Sequence, residues 1–529
     1  MDFVYENSLV DDDQSKGMGC VGDGFINFSE NNGILDRVYV TENFLEKEEF
    51  LEKEETTKKD KYLVRKIVVR SLMAIQLIIA SILNAKLTTM DILPLKYDIL
   101  LVVAIVLFNI GIWFSIKTKK LTIIMSTMSV LLSTALIVGT TTVFKVKDTV
   151  DSIITNSDYE VVKISAVVPV ESQINDIKDI GGRAMGYLAY NEHIDGLKKE
   201  VEKKASFPPQ YTEYEAETLL ADALYQGREE VALVETTTLD TLRQTEGYMD
   251  IDQKVRVLHT FEVKIEKKLD TDNKASIAKD TFVVYISGSD SREGLKEVTL
   301  SDTNLLAVVN TKKRKIQLIS TPRDYYVPIA DINREDKLTH AGNGGVGRSM
   351  RTLEMLYGVE VDYYFKICFE GFTQLIDELG GIDVYSPKNF TTHYTRIDYY
   401  EGYQHVNGEN ALHFARERKA FVDGDFQRGK NQMEVIKGIG KQMTTKEALT
   451  NFDGVMGSMS GCFETDIPSE TMYQIVKNQL DKNIPWEIST KGVTGYDDKV
   501  NDRDWIIRPQ QKSVEEAKVL INECISNQR

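Results

Sequence analysis

The sequence predicts an α/β protein in three parts: N-terminal transmembrane helices, a small α/β module, and a larger α/β domain on a mixed central sheet. Three observations predict it. Three apolar runs stand near the N-terminus, at roughly Ile67–Ala85, Tyr97–Ile116 and Leu121–Phe144. Beyond them, apolar strand-like stretches alternate with stretches of helical spacing. The chain also has 529 residues, more than one core normally organises.

Each apolar run is close to the ~20 residues that cross a hydrocarbon core. The runs are apolar on all faces and almost free of charge, which favours spans over buried core helices. The first run starts too far from Met1 for a cleaved signal peptide. Lys58, Lys59, Lys61, Arg65 and Lys66 precede the first run, and Lys117, Lys119 and Lys120 separate the second from the third. The loop between the first and second holds only Lys86 and Lys96 as bases. Basic flanks stay cytoplasmic, so the N-tail is expected inside and everything past about Lys145 outside. Residues 1–56 are polar and acidic, expected to be a largely disordered tail with a short helix at Glu42–Glu55. Residues 57–146 form the membrane region.

Residues 147–275 are expected to form the small module. "YEVVKISAVV" (159–168) and "VALVE" (231–235) have strand character, and "AETLLADALYQG" (216–227) is a helix ending at Gly227. Nothing in this module has catalytic character, so a spacer or accessory role is expected. "KKLDTDNKASIAKD" (267–280) is a polar link to the larger domain, 276–445 with a C-terminal part at 446–529.

That domain opens with "TFVVYISG" (281–288), apolar without alternation and therefore buried on both faces. "NLLAVVN" (304–310) and "KIQLIS" (315–320) follow, joined by a turn short enough to make them antiparallel neighbours. "RTLEMLYG" (351–358) and "FTQLIDELGG" (372–381) are helices. In the second, Phe372, Leu375, Ile376 and Leu379 share one face, and Gly380 and Gly381 supply the cap and turn.

If the first and third strands run the same way and the second runs back, one rim of the sheet collects the end of the first, the start of the second and the end of the third. Asp290, Arg292, Asp302, Arg323 and Asp324 then meet there, where α/β sheets favour sites. Aspartates without nearby histidine or cysteine suit a hard divalent cation, Mg²⁺ first and Mn²⁺ as its substitute. Arginines suit phosphate through charge-assisted, bidentate hydrogen bonds. No Walker-type glycine loop is present, so a nucleotide is not the expected phosphate carrier.

The composition is otherwise ordinary, 42% hydrophobic and 27% charged, with a net charge of -17. That acidic balance argues against nucleic acid as a partner. The four cysteines, Cys20, Cys368, Cys462 and Cys524, lack metal-ligand spacing; Cys462 and Cys524 are a pair left open for a disulfide. Against this background "FARERKAFVDGDFQRGKNQ" (414–432) gathers three arginines and two lysines. "NGENALHFA" (407–415) has the pattern of a helix capped at Asn407. Arg416 and Arg418 are two apart and share a face only if the chain is extended, so it is expected to leave the helix near Ala415. "DGDF" then turns and "QRGKNQMEVIKGIG" resumes a helix, with Arg428, Gln432, Val435, Ile436 and Ile439 on one face. An arginine on that stripe at a helix start needs an anion; Asp423 or Asp425 would satisfy one arginine, not three.

The segments "GSDSR", "STPRDYYVPI", "DKLTHAG", "YGVEVDYYFKICFEGFTQLIDELGGIDVY", "EGYQHVNGENALHFARERK" and "DFQRGKNQ" resemble, in order and spacing, the LytR–CpsA–Psr (LCP) family of Gram-positive cell envelopes. The likeness looks closest to its capsule-associated members, which carry an accessory domain. The resemblance implies an α/β/α sandwich and transfer of a glycan phosphate, capsular or teichoic, from a polyprenyl-pyrophosphate carrier to peptidoglycan. It implies Asp290 and Asp302 as Mg²⁺ ligands and Arg323, Arg416, Arg418 and Arg428 as the pyrophosphate grip. Gln432 would support them, with Arg292 and Lys337 as further contributors and an apolar tunnel for the prenyl chain. Lys430 stands where many members have arginine. Asp324 and Asp290 are the candidates for a general base. Implied partners are the lipid-linked glycan, peptidoglycan, membrane lipid and other capsule or cell-wall assembly proteins. Two alternatives stay open: a lipid pyrophosphate hydrolase using the same residues with water, and a non-enzymatic envelope regulator or transcription attenuator.

Overall fold

The computed structural model describes residues 19–20, 25–26, 35–154, 159–189, 191–267, 280–289, 295, 297–443, 445, 451–459, 462–482, 484–500 and 504–526. The chain divides into two compact units, residues 1–80 with 103–136, and residues 81–102 with 137–529.

Three helices carry the apolar runs: α1 (Leu35–Met90), α2 (Leu95–Ser115) and α3 (Lys119–Ile153). All three are long and apolar enough to cross a membrane. The expected short helix at 42–55 is instead part of α1, which runs 56 residues without a break. No glycine or proline interrupts Leu35–Met90, and Glu54 pairs with Lys58 one turn on at 2.7 Å, so nothing stops propagation. The part of the acidic tail before Leu35 lies mostly outside the described residues. In the first unit, Ser129 of α3 donates to Gln76 of α1 at 2.8 Å, both side chains fully buried.

In the second unit the module forms a five-stranded sheet. Its strands are β1 (Tyr159–Pro169), β2 (Ala184–Leu188), β3 (Gln210–Tyr214), β4 (Val231–Glu235) and β5 (Val255–Glu266). The order is β3-β2-β4-β1-β5, with β2 parallel to both neighbours and β1 antiparallel to both of its own. Helix α4 (Ile194–Lys204) and helix α5 (Glu217–Tyr225), the expected one, accompany it.

The larger domain is built on a six-stranded sheet. Its strands are β6 (Thr281–Ser289), β7 (Thr303–Asn310), β8 (Lys315–Thr321), β9 (Tyr363–Cys368), β10 (Phe463–Thr465) and β11 (Glu487–Gly492). The order is β10-β9-β6-β7-β8-β11. β7 is antiparallel to β6 and β8, while β9 runs parallel to β6, so the sheet is mixed. The C-terminal part supplies both edge strands and completes the sheet.

Alternation along each strand sends residues to two cores. On one face Val283, Tyr285, Leu306 and Ile319 pack on α6 (Gly345–Tyr357) and the C-terminal helix (Gln511–Ile525). On the other, Phe282, Val284, Leu305 and Leu318 pack on Met433 and Ile436. The sheet is therefore covered on both sides, an α/β/α sandwich. A satellite core holds α7 (Phe369–Glu378), α8 (Gly408–Arg416), α9 (Gly424–Gln442) and two small hairpins. One hairpin pairs Phe390–Thr391 with Asp398–Tyr399. Within this unit the turn after α1 meets the C-terminal part: the Asp91 carboxylate is 2.6 Å from Lys477, and Lys96 is 2.9 Å from Asp481.

The cysteines do not pair as left open: Cys368, Cys462 and Cys524 are free. Cys524 is buried and donates to the carbonyl of Val308 at 3.4 Å. Cys462 instead lies across the β9–β10 pairing from Cys368, whose N–H donates to its carbonyl at 3.1 Å.

Candidate active site

Strand direction builds the rim as the sequence implies. Gly288, near the end of β6, is opposite Thr303, which starts β7, and Asn304 is opposite Thr321, which ends β8. Asp302 and Arg323 therefore come from neighbouring strand ends and meet as an ion pair. Asp324 follows, with one oxygen 3.9 Å from Arg323 Nε and 3.5 Å from Lys337 Nζ. Lys337 reaches the group through Asp324. Asp290 and Arg292 lie outside the described residues.

The second group arrives from α8 and α9. Asn407 caps α8, accepting from the Asn410 N–H at 2.9 Å. The helix ends at Arg416, and Glu417 is extended at φ -70, ψ 127. Arg416 and Arg418 consequently face the same cavity. Arg428 and Gln432, one turn apart on α9, face it as well. The start of α9 differs from expectation. It begins at Gly424, in the left-handed region at φ 46, so Arg428 lies a full turn inside. Its first turn already carries Asp425, which stands against Arg428 as an ion pair without hydrogen-bond geometry. Lys430 is exposed, 3.9 Å from Asp423.

These residues border a cavity of about 500 Å³ with two characters. Asp302, Arg323, Arg416, Arg418, Arg428 and Gln432 supply its polar wall. Ile286, Ile367, Phe369, Phe372, Leu412, Val435 and Ile436 supply an apolar one. Arg416 lies over the Phe369 ring, 4.6 Å from its centroid, where the two characters join.

Burial opposes the charge of Arg323, but Asp302, Asp324 and Asp425 outweigh it and hold the guanidinium above its ordinary value. Among the described residues its buried Nε has no hydrogen-bond partner. An orphaned donor beside a cavity fits an anionic ligand that brings its own acceptors. Burial pushes the two neighbouring acids up, yet they diverge. Asp324 is held below the usual carboxylate range by Arg323, Lys337, Arg428 and Arg418. Asp425 stays raised, because Asp324 repels its charge and the arginines do not compensate. The oxygen donors of Asp302 suit a hard cation in chemistry. No group of three or more metal-ligating side chains occurs among the described residues.

Three residues escaped the sequence reading. Asn431, 1% exposed, donates to the Phe414 carbonyl at 3.0 Å and so ties α9 to the end of α8. Gly429 lets α9 approach β8: an added Cβ would sit 2.2 Å from Ser320 Oγ. Glu417, 6% exposed, turns inward between the two arginines and accepts from the N–H groups of His393 and Ala420 at 2.7 and 2.9 Å. The period of two that aims Arg416 and Arg418 at the cavity gives Glu417 a different direction, so that signal was present.

Residues 254–522 match the model of the LytR_cpsA_psr family. A polyisoprenyl-teichoic acid–peptidoglycan teichoic acid transferase TagU of Halalkalibacterium halodurans is 30% identical over 243 residues, 44% of this chain and 76% of that protein. The transferase of the same name from Bacillus licheniformis is 32% identical over 213 residues, 40% of this chain and 67% of that protein. Among solved structures, B. subtilis TagV superposes with a TM-score of 0.40 at 27% identity, covering 48% of this chain and 100% of that one.

Proposed function

The chain belongs to the LytR_cpsA_psr family, and from that premise we propose that it transfers a glycan phosphate from a polyprenyl-pyrophosphate carrier to peptidoglycan as a phosphodiester. The glycan is of capsular-polysaccharide or teichoic-acid type. One observation carries this reading: a single cavity places four arginines beside an apolar wall. A diphosphate esterified to a prenyl chain has the same two characters, and a soluble nucleotide does not. The names of the relatives, teichoic acid transferases acting on peptidoglycan, support the same chemistry.

In this reading Arg323, Arg416, Arg418 and Arg428 bind the pyrophosphate, with Gln432 beside them, and neutralise the charge that shifts onto the leaving group. Lys337 contributes through Asp324, 3.5 Å away, and Arg292 is a further candidate contributor. The acceptor hydroxyl oxygen forms its bond to the glycan-side phosphorus, the bond to the departing prenyl phosphate breaks, and that leaving phosphate carries away the hydroxyl proton. Asp302, with Asp290, would hold Mg²⁺, which when bound would add positive charge at the diphosphate. Asp324 fits the role of holding Arg323 and Lys337 better than that of a base, because its depressed pKa makes it a poor proton acceptor.

The domain works on the outer face of the membrane, anchored by α1–α3. The basic flanks support this orientation. So do the Asp91–Lys477 and Lys96–Asp481 contacts, which join the turn between α1 and α2 to the domain that follows α3.

The test is a transfer assay with the full chain, a prenyl-pyrophosphate-linked saccharide and peptidoglycan oligomers. A glycan–peptidoglycan adduct is expected, falling about 100-fold or more in Arg323→Ala and Arg416→Ala. Undiminished turnover in either variant sinks the assignment. Free glycan phosphate as sole product makes the protein a hydrolase.

A further inference from the structure

The small hairpin Phe390–Thr391/Asp398–Tyr399 forms one lip of the cavity. Thr392, Tyr394 and Thr395, at its tip, border the same space as Arg323 and Arg416. Tyr394 is 76% exposed there. A lone exposed tyrosine is ordinary, but this one is held. Lys419 donates to its hydroxyl at 2.5 Å and lies 4.7 Å from the ring centroid. The His393 ring packs edge-on at 4.8 Å. The Thr392 and Thr395 hydroxyls share a 2.8 Å hydrogen bond that closes the turn. Glu417 then fastens the tip to the arginine segment: one buried carboxylate accepts from His393 on the hairpin and from Ala420 beyond Arg418.

The consequence is chemical. With the prenyl chain along the apolar wall and the diphosphate at the arginines, the group on the distal phosphate must emerge past the charged end. That group is a sugar, whose ring offers C–H faces to an aromatic side chain and hydroxyls to polar neighbours. We propose that the hairpin tip is a saccharide subsite. Tyr394 stacks on the first sugar of the donor, Thr395 meets its hydroxyls, and Glu417 is the positioning residue that holds this lip in register with Arg416 and Arg418. This rests on the proposed function and goes beyond it by assigning recognition of the glycan to residues outside the arginine group.

The test measures equilibrium binding by the full chain, in detergent micelles, of prenyl pyrophosphate and of the same lipid carrying one N-acetylhexosamine. The native protein should prefer the sugar-bearing lipid by about tenfold, a typical worth for one aromatic contact. Tyr394→Ala should bring that preference close to one, with the loss mainly on the sugar-bearing lipid, and Tyr394→Phe should retain it. Glu417→Gln, which can no longer accept both N–H groups equally, should lower the preference part-way. No preference in the native protein, an unchanged preference in Tyr394→Ala, or equal weakening of both lipids overturns the subsite. So does a Phe variant as poor as the Ala variant. An unchanged preference in Glu417→Gln overturns the positioning role. If the native protein binds neither lipid, the proposed function falls first, a result distinct from all of these.

Discussion

Lys366 donates a 2.8 Å hydrogen bond to Glu160, and the two side chains are 6% and 1% exposed. Lys366 is in β9, next to Ile367 of the cavity wall; Glu160 is in β1 of the preceding module. The other Glu160 oxygen accepts from the N–H of Val346, at the start of α6, at 2.8 Å. A second buried pair, Lys267 and Glu464 at 2.7 Å, shares the Tyr364 hydroxyl. The module is thus fastened behind the candidate site by charges removed from water.

Removing one partner strands the other. Lys366→Met should cost about 3–5 kcal/mol, because Glu160 is left charged and buried. The double variant Glu160→Gln/Lys366→Met should recover much of that loss, since neither charge then remains. Urea unfolding of both variants checks this. Equal stability of native and Lys366→Met protein would remove the pair from any structural role.

Gly429 sets the distance between α9 and the rim. Its missing side chain leaves room for Ser320 on β8, and an alanine there would collide with that hydroxyl. The Gly429→Ala variant should lose about 1–3 kcal/mol through overpacking. Because Arg428 precedes Gly429, donor binding should weaken by more than the change in Tm alone accounts for. Adding Ser320→Gly should restore both, and thermal melts alongside lipid binding measure the pair.

How far this was legible in the sequence follows from range. The β6–β8 rim could be derived because its strands are continuous apolar runs joined by one short turn, so local rules decide direction. The extended Arg416–Arg418 segment could be derived because a two-residue spacing shares a face only when extended. The Glu160–Lys366 pair could not, since its members are 206 positions apart and each alone resembles an ordinary strand charge. The start of α9 was misplaced for a different reason. "DGDF" has turn composition, yet Gly424 at positive φ lets the helix begin inside it.

Asn431 joins the two arginine-bearing helices. Its amide satisfies the Phe414 carbonyl at the end of α8, and it accepts from Gln427 at 2.9 Å. Asn431→Ala leaves a buried carbonyl unpaired, which costs about 1–3 kcal/mol. The end of α8 should then loosen, raising KM for the lipid donor through Arg416 and Arg418 more than it lowers kcat. A variant that lowers kcat alone would place Asn431 in the chemistry instead.

Asp324 provides the pH dependence. Burial pushes its carboxyl up, but Arg323, Lys337, Arg428 and Arg418 outweigh burial and hold it below the ordinary value of 3.8. A depressed folded pKa contributes stability that is present above the unfolded value and lost as pH falls through the folded one. Asp324→Asn should therefore be less stable than the native protein at pH 7. The difference should persist down to about pH 4 and close only below that, as native Asp324 takes up its proton. Denaturant midpoints at pH 7, 5 and 3 measure the gap. Between pH 5 and 9 the variant should lose transfer activity without moving either limb of its pH profile, because Asp324 remains ionised throughout that window. An acid limb that shifts or vanishes in Asp324→Asn would instead identify Asp324 as the base.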